Sequence, residues 1–513
     1  MRRTGHVTEQ RLRCRGMVVS AAVASFLTAC QSAPQLPDLS LAKGAPLLQY
    51  RYGDLARPSG NSDETLVLLA FSGGGARAAA MAFGVLEALH ATRIGIGRNR
   101  RSLLSEVDVI SSTSGGSIAA AFYGLHRTRM FDRGANGQSL FERRYLKQRV
   151  ASAVAGRLLG NILRASTSGT NRSDITAEYY DRTLFGGKRY ADLQRAGRPY
   201  IVINAHDTTK QSRFTFTQGQ FDLICSDLSR LPVARAVMAS SAVHGVFAPI
   251  KLRNLAASRA AGLRCPEEPR WVAAALRGQP RIRSGVETPR DRTRRARLAR
   301  WYRAGEPYGR RAAPDTRYYV HLADGGLMDN TALWPLLRAL DSPISAWGLR
   351  EAIASGRVKK VLLVVVNAMP FEDADTDRTA AGPSIINMVL SAVGSAQNTA
   401  SRDAIRAAEV LMDRLRRRHG ASRGSASGRV SFHGPVVIEF NAVRNARRRR
   451  CFRRIKTALD LPAAEVDALR QMAARQLVDD PGFQSFLRRS NGKAGAMQFR
   501  WAADKFCTGS KPG

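Results

Sequence analysis

Three short segments of the sequence contain residues suited to acyl-transfer chemistry, and the first is the glycine run Gly73, Gly74 and Gly75. Glycines between a strand and a helix let the backbone approach a ligand, and N–H groups at a helix N-terminus attract an anion. That anion could be a phosphate or the oxyanion of an acyl-transfer intermediate. No Gly-Lys-Ser/Thr sequence and no G-x-G-x-x-G spacing is present here, which disfavours a nucleotide-binding loop. Such a run on its own is also typical of a plain turn.

The second segment is a serine turn, in which Ser114 stands between Thr113 and the pair Gly115-Gly116. A serine on a sharp turn from a strand to a helix, flanked by small residues, is typical of a nucleophile elbow. The turn lifts the hydroxyl above the sheet, and the helix N-terminus behind it stabilises negative charge. Because serines are common in tight turns, this segment alone leaves both interpretations open.

The third segment is Asp324, followed by two glycines. We expect it at the C-terminal end of a parallel strand, the position at which α/β proteins bind ligands. A β-turn is the alternative, because Asp-Gly is a common turn sequence. His321 would lie on the opposite face of that strand, which disfavours a Ser-His-Asp triad. We interpret His321 and His244 as packing residues.

Predicted strands precede all three segments. Short apolar runs predict strands at residues 66–71, 107–111, 200–204, 318–322, 361–366 and 436–440. Helices are predicted at residues 77–90, 116–125 and 384–418. Continuous apolar strands that alternate with helices indicate a mostly parallel sheet covered on both faces, so we expect an α/β sandwich.

In their order and their position at strand ends, the three segments resemble the patatin-like phospholipase family. The sequence Asn-Ala-His-Asp from Asn204 is similar to the family's Asn-Ala-x-Asp. Residues 234–249 (ARAVMASSAVHGVFAP) are similar to its Ala-x-x-Ala-Ser-x-Ala…Phe-x-Pro segment. The resemblance covers residues 65–330. It implies a three-layer α/β/α fold and a serine acyl hydrolase with a Ser-Asp dyad, which requires no metal and no organic cofactor.

The resemblance also implies a role for each matching residue. Ser114 would be the nucleophile and Asp324 the base that accepts its proton. Arg77 would support the glycine loop. Ser112 and Ala78 replace glycines of the family pattern, but both are small, so we expect both turns to form. The oxyanion donors would be the N–H groups of Gly73, Gly74 and Gly75.

Residues 1–29 resemble a bacterial export signal, with a basic beginning and an apolar stretch too short to span a bilayer. The sequence Leu-Thr-Ala-Cys that ends at Cys30 resembles a lipobox, where lipoprotein processing acylates the cysteine and cleaves before it. An ordinary signal peptide with a chance cysteine is the alternative. We therefore expect a cell-envelope protein anchored through lipidated Cys30, and Gln31 favours the outer membrane of a Gram-negative bacterium.

The expected organisation has three parts after the signal. Residues 30–62 are aperiodic and contain prolines, as a tether would. Residues 63–375 form the catalytic core, with an arginine-rich insertion at 266–317, and residues 376–513 form a C-terminal helical region that completes the same domain. In an oxidising compartment cysteines pair, and sequence proximity favours Cys225 with Cys265 and Cys451 with Cys507.

The composition is close to that of a globular protein, with 44% hydrophobic and 24% charged residues, which excludes a disordered or polytopic membrane protein. The charge is unusual, since 80 Lys+Arg against 41 Asp+Glu give a formal net charge of +39. This favours anionic partners, although a coding bias towards arginine also fits. The export signal speaks against nucleic acid. We expect lipid head groups to contact the arginine clusters at 292–300 and 447–450. The alternative is that these clusters lie in solvated loops without a partner.

The expected function is lipid acyl hydrolysis of the phospholipase A or lysophospholipase type, which cleaves carboxylic ester bonds of glycerolipids through an acyl-enzyme. A general carboxylesterase is an alternative in the same class. A non-catalytic, lipid-binding envelope lipoprotein with the same fold is an alternative from a different class. The intact serine, aspartate and glycines argue against that alternative.

Overall fold

The computed structural model describes most of the chain after residue 50. The described residues are 39, 50–58, 61–96, 99–160, 171–255, 318–341, 347–369, 385–420, 430–495 and 506–507. The predicted export signal (1–29), Cys30, Cys265 and the arginine-rich insertion (266–317) lie outside these ranges.

Eight of the ten strands in the described residues form one sheet. The strands are β1 Thr65–Phe71, β2 Arg93–Ile96, β3 Asn99–Ser102, β4 Val107–Thr113, β5 Tyr200–Asp207, β6 Ser212–Thr215, β7 Ile250–Arg253, β8 Tyr319–Asp324, β9 Lys360–Asn367 and β10 Ser431–Glu439. Their order across the sheet is β10-β9-β1-β4-β5-β8-β7, with β6 beside β5, while β2 pairs separately with β3. The strands from β10 to β5 are parallel to one another.

Helices connect these strands. Those in the described residues are α1 Gly75–Ala91, α2 Gly115–His126, α3 Val150–Gly160, α4 Arg172–Tyr180, α5 Tyr190–Ala196, α6 Gln218–Asp222, α7 Val233–Ser241, α8 Gly326–Asp329, α9 Trp334–Asp341, α10 Leu349–Ala354, α11 Ile385–Gly420, α12 Ala446–Arg453, α13 Ala463–Asp479 and α14 Pro481–Arg489. Short 3₁₀ or π turns occur at Tyr52–Asp54, Leu103–Glu106, Arg127–Phe131, Glu142–Leu146, Asp181–Phe185, Leu228–Arg230 and Phe440–Ala442. No helix in these described ranges is long and apolar enough to cross a membrane.

The apolar runs form the buried centre of the sheet. Every residue of β1 and β4 is buried, as expected for parallel strands with helices on both faces. On these faces α1 packs against α2 and α13, α7 packs against β5 and β8, and α11 packs against β10. The fold is therefore a three-layer α/β/α sandwich with a mostly parallel central sheet, which confirms the predicted fold class.

The prediction that Asp324 ends a parallel strand was wrong, because β8 runs antiparallel to β5. The neighbouring strand β4 ends at Thr113, which is paired with Asn204, but β5 continues to Asp207. This overhang lets β8 pair with β5 in the opposite direction, so that Asp324 lies beside Ala205. The Asp324 carboxylate therefore lies at the C-terminal end of β4, although β8 runs in the opposite direction to β4.

The C-terminal part of the chain adds an edge strand and a set of helices to the same sheet. β10 pairs in parallel with β9, and α14 packs against it. The predicted disulfide between Cys451 and Cys507 is confirmed, with the two Cα atoms 5.8 Å apart. The partner predicted for Cys225 is Cys265, which lies outside the described residues.

Candidate active site

Ser114 occupies the sharp turn between β4 and α2. Its φ of 50° and ψ of −123° are strained for a residue with a Cβ, as expected for a nucleophile elbow. The glycines after it are needed for close packing: a Cβ at Gly115 would lie 2.0 Å from the carbonyl oxygen of Gly75, and one at Gly116 would lie 2.6 Å from that of Ser72. The elbow and the glycine loop are therefore in direct contact.

Ser114 and Asp324 are hydrogen-bonded to each other. The Ser114 hydroxyl donates to Asp324 Oδ2 at 2.9 Å, and the N–H of Gly326 donates to Asp324 Oδ1 at 2.7 Å. Both side chains are 7% exposed. The bond is direct, with no histidine between the two groups, and His321 lies on β8 opposite Lys251 of β7.

The environment of Asp324 makes it a stronger base than an exposed carboxylate. Burial raises the pKa of Asp324 from 3.8 to about 6, and the hydrogen bonds from Gly326 and Ser114 limit that rise. The carboxylate is therefore ionised near neutral pH, yet its proton affinity is high enough to accept a proton in general base catalysis.

A chain of hydrogen bonds fixes the elbow from behind. The N–H of Ser114 donates to Ser240 Oγ at 2.8 Å, and the Ser240 hydroxyl donates to the carbonyl oxygen of Asn204 at 2.6 Å. The side-chain amide of Asn204 donates to the carbonyl oxygen of Ser112 at 2.9 Å. Asn204 and Ser240 belong to the two connecting segments on which the family resemblance was based, so those segments hold the elbow in place.

The glycine loop offers fewer free N–H groups than the sequence suggested. The N–H of Gly73 donates to the carbonyl oxygen of Asn330 at 3.0 Å, so it is not available to an oxyanion in this structure. In the described part of the chain, the N–H groups of Gly74 and Gly75 have no hydrogen-bond acceptor. Both residues have positive φ, 135° and 60°, which favours glycine. Of the three predicted donors, Gly74 and Gly75 are therefore the free ones.

Arg77 holds the loop through the C-terminal part of the chain. It is 1% exposed and donates to the carbonyl oxygen of Ile455 at 2.5 Å and to Thr457 Oγ1 at 2.8 Å. The next residue, Ala458, accepts a 2.8 Å bond from the N–H of Ala76, and a Cβ at Gly75 would lie 2.3 Å from the same oxygen. Residues 455–458 thus form a support for the glycine loop.

Sequence reasoning missed two residues that lie beside this site. Asn330 lies beside Gly73, and Gln397 of α11 brings its Nε2 atom to 3.1 Å from the position of a Cβ at Gly326. Neither residue belongs to the three segments with a recognisable pattern. The described residues contain no group of three His, Cys, Asp or Glu side chains arranged to hold a metal ion.

Comparisons with known proteins identify one family. The patatin-like phospholipase family profile matches residues 69–337. Among solved structures, human GIVD cytosolic phospholipase A2 in complex with methyl gamma-linolenyl fluorophosphonate is 14% identical, and the match covers 69% of this chain and 60% of that chain, with a TM-score of 0.25. VipD from Legionella pneumophila is 11% identical over 86% of this chain and 90% of that chain, with a TM-score of 0.17. No curated protein matches the chain.

Proposed function

The chain belongs to the patatin-like phospholipase family of hydrolases acting on lipid ester bonds, and we propose that it is a serine hydrolase that cleaves glycerolipid esters through a Ser-Asp dyad. One observation carries this proposal: the strained Ser114 donates its hydroxyl hydrogen directly to the buried carboxylate of Asp324. A nucleophile bonded to a general base with a raised pKa is the arrangement that covalent catalysis needs.

In the acylation step, Ser114 Oγ attacks the ester carbonyl carbon while its proton moves to Asp324. The tetrahedral oxyanion accepts hydrogen bonds from the N–H groups of Gly74 and Gly75, at the N-terminus of α1. The bond from the carbonyl carbon to the alcohol oxygen then breaks, and the departing alcohol takes the proton from Asp324. The acyl group remains bound to Ser114.

Deacylation repeats these steps with water. Asp324 accepts a proton from the attacking water molecule, the oxyanion forms again, and the bond between the acyl carbon and Ser114 Oγ breaks. Ser114 recovers the proton, and a fatty acid leaves. Every step uses groups of this chain and water alone.

Exposed apolar side chains near the site support a lipid substrate. The turn that follows α7 exposes 38% of Val243 and 52% of Val246, and the preceding residue, Ala242, accepts a hydrogen bond from the N–H of Asp324. Between Asp227 and Glu267 the sequence has no acidic residue. An apolar turn without negative charge beside a catalytic carboxylate suits an anionic lipid surface.

The remaining parts of the proposal concern the membrane. The resemblance of the sequence ending at Cys30 to a lipobox supports processing to a lipid-anchored envelope protein, and Gln31 supports sorting to the outer membrane. The arginine clusters at 292–300 and 447–450 would add contacts with anionic head groups. These features keep the site close to its substrate.

Labelling with a fluorophosphonate probe tests the nucleophile. Residues 31–513 are purified as wild type, Ser114→Ala and Ser112→Ala, and each is incubated with the probe with and without lipid vesicles. Ser112 is the matched control, because its hydroxyl bonds the carbonyl oxygen of Val202 and not Asp324. We expect wild type and Ser112→Ala to be labelled, and Ser114→Ala to remain unlabelled.

Two results would contradict the proposal. A folded wild-type protein that stays unlabelled even with vesicles would favour the non-catalytic, lipid-binding lipoprotein. Labelling that survives in Ser114→Ala would assign the reaction to a different nucleophile.

If the expected labelling is found, product analysis with phospholipids, lysophospholipids and short-chain esters would identify the ester that is cleaved.

A further inference from the structure

The side-chain amide of Asn330 is buried without a partner. Asn330 is 3% exposed, and its Nδ2 atom has no hydrogen-bond acceptor in the described part of the chain. Leaving a buried donor unpaired costs free energy, so such a group calls for an explanation. An acceptor supplied by a ligand would satisfy it.

The side chain of Asn330 lies beside the glycine loop and beside the turn that follows Asp324. Its Oδ1 atom is 2.6 Å from the position of a Cβ at Gly73, and that position is 3.2 Å from Ser114 Cβ. The same oxygen is 3.1 Å from the position of a Cβ at Gly326, which is 3.0 Å from Asp324 Oδ1. A substrate carbonyl bonded to Ser114 would therefore be close to this amide.

The segment that carries Asn330 is held rigidly. The carboxylate of Asp329 accepts hydrogen bonds from the N–H groups of Leu333 and Trp334 and from the hydroxyl of Thr331, at 2.9 to 3.2 Å. The carbonyl oxygen of Asp329 accepts a 2.9 Å bond from the hydroxyl of Thr113, next to the nucleophile. A group fixed in this way is preorganised and needs no reorientation during the reaction.

Asn330 also explains the loss of one predicted donor. Its main-chain oxygen accepts the N–H of Gly73, while its side-chain N–H donor has no acceptor among the described residues. We infer that Asn330 Nδ2 takes the place of Gly73 in the oxyanion hole and donates a hydrogen bond to the substrate carbonyl oxygen, which strengthens as that oxygen becomes negative. This inference rests on the proposed acyl hydrolysis and makes Asn330 a further catalytic residue.

Kinetics of three variants with a soluble short-chain ester test the inference. Asn330→Ala removes the amide, and Asn330→Asp keeps its shape but replaces the donor with an acceptor. We expect kcat to fall about 10²- to 10³-fold in both, as for the loss of other oxyanion donors. KM should stay within about threefold of wild type, because the interaction is made mainly in the transition state. A trifluoromethyl ketone, which forms a tetrahedral adduct, should lose affinity in parallel with kcat.

Asn61→Ala is the matched control, because it removes an asparagine amide that bonds Asp108 near the start of β4, at the other end of the strand from Ser114. We expect it to lower the unfolding temperature slightly and to leave kcat and ketone affinity unchanged. The inference is overturned if either folded Asn330 variant keeps wild-type kcat, or if Asn61→Ala loses as much activity. A wild-type protein that neither hydrolyses the ester nor reacts with the fluorophosphonate would instead overturn the proposed function itself, and the inference with it.

Discussion

Asp324 has to combine two properties that oppose each other. Burial disfavours the charged form of the carboxylate, but a base must be charged before it can accept a proton. A pKa of about 6 meets both needs, since the group is mostly ionised at neutral pH and still binds a proton more tightly than an exposed aspartate. Because this pKa is raised chiefly by desolvation, its cause is the burial of Asp324 in the fold and not a neighbouring charge.

The pH dependence of hydrolysis should report this group. With a soluble ester, we expect kcat/KM of the free enzyme to rise with pH and level off above an apparent pKa of about 6. Asp324→Asn should abolish this activity, because an amide cannot accept the proton. A profile that levels off near pH 4 would mean that Asp324 is not desolvated in solution.

Unfolding measurements give a second readout of the same pKa. The folded state binds the Asp324 proton more tightly than the unfolded state, so its contribution to stability is lost as pH rises from 3.8 to about 6. Asn is neutral throughout. Asp324→Asn should therefore be more stable than wild type at pH 7, by at most about 3 kcal/mol for two pKa units. The difference should vanish below pH 4.

At the scale of elements, the glycine loop depends on a segment almost four hundred residues away. Arg77 lies in the first turn of α1 and bonds Ile455 and Thr457, which follow α12. Burial lowers the pKa of Arg77 to about 10, and its guanidinium group also lies 5.7 Å from the ring centre of Phe440. The disulfide at Cys451 fixes the start of this region. The C-terminal region therefore acts on the site through the loop it supports.

Replacing Arg77 tests this dependence. Arg77→Met removes both hydrogen bonds and leaves the carbonyl oxygen of Ile455 buried without a donor, which should destabilise the fold by about 1–3 kcal/mol. The loosened loop should lower kcat more than it raises KM, because the oxyanion donors act in the transition state. Unfolding curves and ester kinetics measure the two effects.

Thr457→Val is the control for Arg77, since it removes one acceptor and leaves the arginine bonded to Ile455. We expect it to lose much less activity than Arg77→Met. Equal losses of activity in the two variants would mean that the contact with Thr457 supports the loop, and that the bond from Arg77 to Ile455 adds little.

The elements that could be predicted were those with local signals. Buried parallel strands are continuous apolar runs, so β1, β4 and β9 were predicted to within two residues at either end. β6 and β7 are short edge elements without such a run, and the direction of β8 depends on the overhang of β5, which no local pattern encodes. Residues 455–458 were missed for the same reason, because their place near the loop is set by tertiary packing. Asn330 follows Asp324 by only six residues, but no local pattern distinguishes it, and its contact with Gly73 depends on the fold.

At the scale of the whole molecule, the dyad lies at the C-terminal end of the central strand β4, close to exposed apolar residues. β5 extends beyond the end of β4. β8 pairs with the extended part of β5, and β7 pairs with β8. The turn with Val243 and Val246 lies next to Asp324 through Ala242. Lys251 and Arg253 add positive charge on β7, the edge strand on the same side of β4 as β5 and β8. The molecule would thus place its site against a lipid surface.

Vesicle binding tests this orientation. In the Ser114→Ala background, which prevents hydrolysis of the vesicles, replacing Val243 and Val246 by Asp should weaken binding of residues 31–513 to anionic vesicles at least about tenfold. The reason is that the exposed part of each valine, 38% of Val243 and 52% of Val246, loses roughly 0.5–1.5 kcal/mol of apolar burial in lipid, and the new carboxylates are repelled by the head groups. Co-sedimentation at low salt measures the change.

Val410→Asp is the control for introducing an aspartate at an exposed valine elsewhere on the surface. Val410 is 50% exposed on α11, a helix that packs against β10 at the opposite edge of the sheet. Because Val410 lies 13 residues after Gln397 on this helix, about 20 Å along its axis from the residue beside the dyad, the substitution should leave vesicle binding nearly unchanged. The unfolding temperature should show that all the variants are folded. Equal weakening by Val410→Asp would mean that the net charge of the protein, and not one face, governs binding. Unchanged binding in the Val243 and Val246 variant would mean that the dyad approaches lipid across another surface, leaving the arginine clusters as the remaining candidates.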